Sequence, residues 1–100
     1  MPRAKRLSRF GRIVYVVMAE NGIRTEGVVA DMMSRQGYEI SQQSVSNYLT
    51  SRTPPPSWIV GFVRALGLDA QQKRRLMSAY LDERPDLREF FDMWASEKAH

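Results

Sequence analysis

Apolar residues recur along this chain at helical rather than strand spacing. Phe10, Ile13, Val14, Val17 and Met18 fall at i, i+3, i+4, i+7 and i+8, one stripe of an amphipathic helix. Ser8 stands ahead of them as an N-cap, and Asn21-Gly22 supplies the stop. Thr25 caps a second helix bearing Val29, Met32 and Met33. Its third position is Val28 rather than the Glu of a capping box, and Glu26 occupies the first turn, where the helix dipole favours it. Gly37 ends this helix. Ser41 caps a third, running to about Ser51, with Val45, Tyr48 and Leu49 as its apolar side. Thr53-Pro54-Pro55-Pro56 then breaks the helical pattern. Ser57 is expected to cap a fourth helix, filled on one side by Trp58, Ile59, Phe62, Val63 and Leu66 and stopped by Gly67. Asp69 caps a fifth, with Leu76, Met77, Tyr80 and Leu81 inward and Lys73-Arg74-Arg75 outward. Pro85 opens a sixth, where Leu87, Phe90, Phe91 and Trp94 repeat the stripe. No strand alternation, internal repeat or low-complexity stretch interrupts this series. The pattern predicts an all-α chain in three parts: an arm over 1–7, a helical domain over 8–81 and a terminal helix over 82–100.

One hundred residues, 43% apolar and 26% charged, suit one globular core. No apolar run approaches the roughly 20 residues of a membrane helix, and no signal-peptide core follows the basic start. A soluble, cytoplasmic protein without a membrane partner is expected. Cysteine is absent and the one histidine is His100, the last residue. That excludes thiol chemistry and the common zinc sites, and leaves a poor general base. Asp31, Glu39, Asp69 and the tail acids form no motif, and no phosphate-cradling glycine loop is present. No catalytic residue, metal, cofactor or small-molecule ligand is therefore expected, and an enzyme is the least supported class.

Charge changes the picture more. The net charge is +4, but residues 1–81 hold 12 basic and 5 acidic side chains and residues 82–100 hold 3 and 6. The larger part suits a polyanion and the tail does not. Arg3, Lys5 and Arg6 would let the arm follow a phosphate backbone or enter a groove, the plain alternative being a solvated terminus. The third helix carries Gln42, Gln43, Ser46, Asn47 and Thr50 away from its apolar stripe. These uncharged donors and acceptors are the chemistry that reads base edges, Gln and Asn bonding bidentately to adenine. The alternative is a solvated face rich in Gln and Ser by chance. Arg35, Tyr48, Arg52 and Thr53 flank the helix as candidate phosphate contacts, although the spacing of Tyr48 also fits core packing.

The stretch from Thr25 to Leu68 resembles the DNA-binding domain of the Cro and repressor proteins of lambdoid phages, the family named for the xenobiotic response element. Val29-Ala30 resembles its Leu-Ala pair. Ser41-Gln42-Gln43-Ser44-Val45 resembles the start of its recognition helix. Pro56 followed by Trp58, Ile59, Phe62, Ala65, Leu66 and Gly67 resembles its fourth helix. The resemblance spans 8–81. It implies a five-helix, lambda-repressor-like helix-turn-helix bundle, here with a C-terminal helix added. It also implies a sequence-specific regulator of transcription, a repressor by family analogy, that binds double-stranded DNA as a dimer. Three departures stand out, the first being that Ser46-Asn47-Tyr48 stands where many relatives carry an acidic residue. Between Ala30 and Ser41 the chain is about five residues longer than the usual motif, similar in this to a mycobacterial regulator of the family. Glu26 replaces a common phosphate-binding Gln and is a poor phosphate contact.

Leu87, Phe90, Phe91 and Trp94 are a large apolar load for a terminal helix. A homodimer through this helix would set two recognition helices about 34 Å apart, as successive major grooves require; folding back on the same domain is the alternative. If the aromatic helix holds a different protein, the chain is an interaction module such as an antitoxin. RNA binding ranks behind both, because no exposed aromatic platform is interleaved with the basic residues.

Overall fold

A computed structural model describes residues 6–98, with side-chain surroundings for residues 6–93. Arg3 and Lys5 of the expected arm lie outside the described residues, as does the side chain of Trp94. Among the described residues every regular element is helical: α1 Arg9–Glu20, α2 Glu26–Arg35, α3 Gln42–Thr50, α4 Pro56–Leu66, α5 Ala70–Glu83, a 3-10 turn Pro85–Leu87 and α6 Arg88–Lys98. None of these helices is long and apolar enough to cross a membrane.

The helices start where the chain supplies a cap. Ser8, Thr25, Ser41 and Asp69 each take up extended backbone and accept a hydrogen bond from the amide three residues on. Gln72 returns the bond to the Asp69 amide, closing a capping box. The fourth start differs from expectation. Ser57 does not cap α4, which begins one residue earlier, at Pro56, behind Pro55 at the N-cap position. Proline has no N–H to satisfy and its φ is already helical, so a proline start needs no hydroxyl. The Ser57 hydroxyl instead lies 3.3 Å from that of Tyr38. Gly67 closes α4 in the left-handed region, φ 63°.

The stripes converge on one core. Phe10, Val14, Val17 and Met18 of α1 meet Val29 and Met33 of α2, Val45 and Leu49 of α3, and Leu76 and Tyr80 of α5. Trp58 of α4 is fully buried among them. It stacks on Phe62 at 4.9 Å and takes Phe10 and Tyr48 edge-on. α1 runs between α3 on one side and α5 on the other. Its approach to α3 depends on Gly11, because a Cβ there would lie 2.0 Å from the Leu49 carbonyl oxygen. The same carbonyl accepts the Ser8 amide at 3.0 Å and the Ser8 hydroxyl at 3.3 Å, so the start of α1 is tied to the end of α3.

Two expectations for the later helices are corrected. The basic run of α5 is not one outward face: Arg74 is exposed, whereas Lys73 and Arg75 are half-buried and Arg75 pairs with Glu20 of α1. That bond holds the Glu20 carboxyl below its ordinary pKa. Nor is the apolar stripe of α6 a single free surface. Phe91 is fully buried in its own domain, edge-on to Tyr80 at 5.6 Å, and Leu87 is half-buried against the core. Phe91 is thus unavailable to a second chain. Phe90 and Met93 remain exposed, at 46% and 63%.

Candidate nucleic-acid interface

α3 presents its polar side chains from its first two turns. Ser41 accepts the Ser44 amide at 3.1 Å, which fixes where the helix begins and places Gln42 and Gln43 in its first turn, both exposed. Asn47, one turn on, is half-buried. Gln43 Nε2 donates to Asn47 Oδ1 at 3.1 Å, the i to i+4 pairing of a helix face. In that arrangement Gln43 keeps one N–H and its carbonyl oxygen outward, the donor–acceptor pair that matches adenine N7 and N6. Gln42 lies against the start of α2: its Oε1 would be 3.2 Å from a Cβ on Gly27. The first turns of α2 and α3 are therefore neighbours.

Ser46 departs from the expected outward face. It is buried, with 8% of its surface exposed and its polar group engaged. The reason is angular. At 100° per residue Ser46 lies about 60° round the helix from Leu49. α3 is flanked by both α1 and α2, so more than one stripe of it is covered. Thr50 is half-buried and its hydroxyl donates back to the Ser46 carbonyl at 2.9 Å, leaving its methyl and the acceptor side of its oxygen for outside contact.

The flanking residues divide similarly. Arg52 is exposed directly after α3, and its amide joins that of Ser51 on the Asn47 carbonyl, at 2.8 and 2.9 Å. Thr53 is exposed, its hydroxyl 3.4 Å from Glu83 of α5. Arg35 pairs with Asp31 at 2.9 Å, both largely solvated. Such a pair is weak in water and can give up the guanidinium to a phosphate. Arg6 is exposed two residues before the Ser8–Leu49 contact. The Tyr48 ring is committed to the edge of the core, 5.7 Å from Trp58. Glu26 turns inward: it is buried and takes a hydrogen bond from Tyr15, whose pKa is pushed up to about 12 by burial and by this carboxylate.

Reading the chain alone missed two glycines and one arginine. Gly11 and Gly27 sit inside helices, where glycine costs up to about 1 kcal/mol and calls for a packing reason. That cost was the available signal. Arg24, exposed one residue before the α2 cap, stood outside every pattern.

No group of three or more potential metal ligands comes together among the described residues. A groove of about 420 Å³ between α1 and α5 is lined by Arg9, Ile13, Arg74, Arg75 and Asp82 among others. Arg9 and Ile13 lie on the far side of α1 from Gly11, so this groove is no part of the α3 face. Its charges are largely matched, Arg9 lying 3.7 Å from Asp82 and Arg75 pairing with Glu20. No family model, curated protein or solved structure matches the chain.

Proposed function

We propose that this chain is a sequence-specific DNA-binding regulator of the helix-turn-helix type, in which α2 and α3 form the motif and α3 enters the major groove. The observation that carries the reading is the exposed first turn of α3, where Gln42 and Gln43 stand free of the core with Asn47 holding Gln43 from one turn behind. A major groove admits one such helix, N-terminal residues toward the bases. Arg52, Arg35 and Arg6 would neutralise phosphates, Thr53 would donate an uncharged hydrogen bond to one, and the basic excess before residue 82 favours the approach. Ser46 is not among the readers, and Tyr48 at most brings its hydroxyl to the edge of the site.

On this reading the protein is a repressor that excludes polymerase from a dyad-symmetric operator, bound as a homodimer. Among the described side chains of α6, Phe90 and Met93 are the exposed apolar ones that a second copy would cover. The same two residues favour a second reading, in which α6 holds a different protein as antitoxins do. Selection from random-sequence duplexes at two salt concentrations tests the first reading. A palindrome should emerge, with affinity falling steeply as salt rises. Recovery of no preferred sequence, or binding indifferent to salt, refutes it.

A further inference from the structure

The loop after α3 is held by a side chain that takes no part in the polar face. Tyr80 of α5 is fully buried and donates its hydroxyl to the Pro54 carbonyl at 2.6 Å. Prolines at 54, 55 and 56 fix φ at three successive positions and remove three N–H donors. The segment is stiff and has no N–H of its own to tie it down; the Pro55 carbonyl takes the Trp58 amide at 3.0 Å at the entry to α4, and Tyr80 is the anchor nearest Arg52 and Thr53 from outside α3 and α4 that is itself buried. Its other end is tied to α3 through the Ser51 and Arg52 amides on Asn47. Behind Tyr80 stands Phe91 of α6, edge-on at 5.6 Å and itself fully buried. A line of contact thus runs from α6 through Tyr80 to Pro54, two residues from Arg52. Burial pushes the Tyr80 pKa up to about 12, so the phenol stays a donor well above the pH at which an ordinary tyrosine ionises.

We propose that Tyr80 is a positioning residue for the loop bearing Arg52 and Thr53, and that α6 holds Tyr80 in place through Phe91. Seating of α6 then governs affinity for the nucleic-acid backbone without changing which sequence is chosen. The inference rests on the DNA-binding reading as far as Arg52 and Thr53 meet phosphate; the anchoring of the loop does not depend on it. α6 becomes a working part of the binding unit, not a separate tail.

Tyr80→Phe keeps the ring and removes only the donor. Its binding to matched and unmatched duplexes across a salt series should weaken about three- to tenfold on every sequence. The ranking of sequences should stay as in the wild type, and the salt slope should become shallower by about 0.9 per bound protomer, the share of one phosphate contact on each. A role in stability alone would lower the melting temperature and leave the slope unchanged. A second measurement needs no DNA: trypsin cleavage of the Arg52–Thr53 bond in the free protein, followed by the mass of the fragment that begins at Thr53, should be faster in Tyr80→Phe and in Phe91→Leu. Cleavage at the wild-type rate in Tyr80→Phe overturns the positioning role. Faster cleavage with an unchanged salt slope overturns the link to phosphate. Wild-type protein that shows no salt-dependent duplex binding overturns the DNA reading, while faster cleavage in the variants still upholds the anchoring of the loop.

Discussion

Gly11→Ala is the substitution whose effect the packing of α1 on α3 dictates most sharply. The added methyl would sit 2.0 Å from the Leu49 carbonyl oxygen, 2.8 Å from its carbonyl carbon and 3.1 Å from its Cα. All three are main-chain atoms, so no side chain can swing aside. Comfortable contact needs about 3.5 Å, and the helices must separate by more than 1 Å to provide it. Overpacking of this kind costs about 1–3 kcal/mol. Separation also stretches the two bonds that Ser8 makes to the Leu49 carbonyl, each contributing about 1 kcal/mol. Alanine returns up to about 1 kcal/mol through helix propensity. The net loss is about 2–4 kcal/mol, which for a domain of this size lowers the melting temperature by roughly 10–25 °C. Gly27→Ala is the internal control, since its methyl meets the movable end of Gln42 at 3.2 Å and no main-chain atom. Thermal unfolding followed by circular dichroism should place Gly27→Ala at or above the wild type and Gly11→Ala well below. If Gly11→Ala melts with the wild type, α1 and α3 do not cross at that residue and the placement of α3 is wrong.

Other consequences follow from the same contacts. Phe91→Ala should lower the free energy of unfolding by about 3–5 kcal/mol in a denaturant titration, independent of protein concentration because the ring is buried in its own domain; a loss that disappears on dilution would place Phe91 in a subunit contact. In duplex selection, Ser46→Ala should leave the chosen sequence untouched. Gln43→Ala should relax one position of it by about 1–3 kcal/mol, and equal effects of the two would refute the division made on α3. Of the four tyrosines, Tyr15 and Tyr80 should ionise only toward about pH 12 in a spectrophotometric titration. Their folded pKa values are raised above the ordinary 10.0, so the stability they contribute is present below pH 10 and is lost as pH climbs from there toward 12. Unfolding that begins well below pH 10 would contradict this.

The helical stripes and four of the five expected caps were legible in the chain because both are local. A hydroxyl or carboxylate meeting an amide three residues on needs no knowledge of the rest of the fold, as Ser8, Thr25, Ser41 and Asp69 illustrate. What escaped depended on neighbours distant in sequence. Ser46 reads as polar and therefore outward, yet α3 lies between two helices and its covered arc is wider than its apolar stripe. Phe90 and Phe91 read alike on the helix, and only the position of Tyr80 decides that one is buried and the other exposed. The value of Gly11 lies in a carbonyl 38 residues further along. Pro54 signals a break in the chain, but nothing local says that a phenol 26 residues away will hold its carbonyl.

The most direct test of the account is to watch the side-chain amides themselves. In nitrogen-15-labelled protein titrated with a selected duplex, the NH₂ resonances of Gln42, Gln43 and Asn47 should shift or broaden first, together with the backbone amides of Ser51 and Arg52. Perturbations confined to the α1–α5 groove or to Phe90 and Met93 on α6, with the three amides unmoved, would contradict the claim that the first turns of α3 meet DNA.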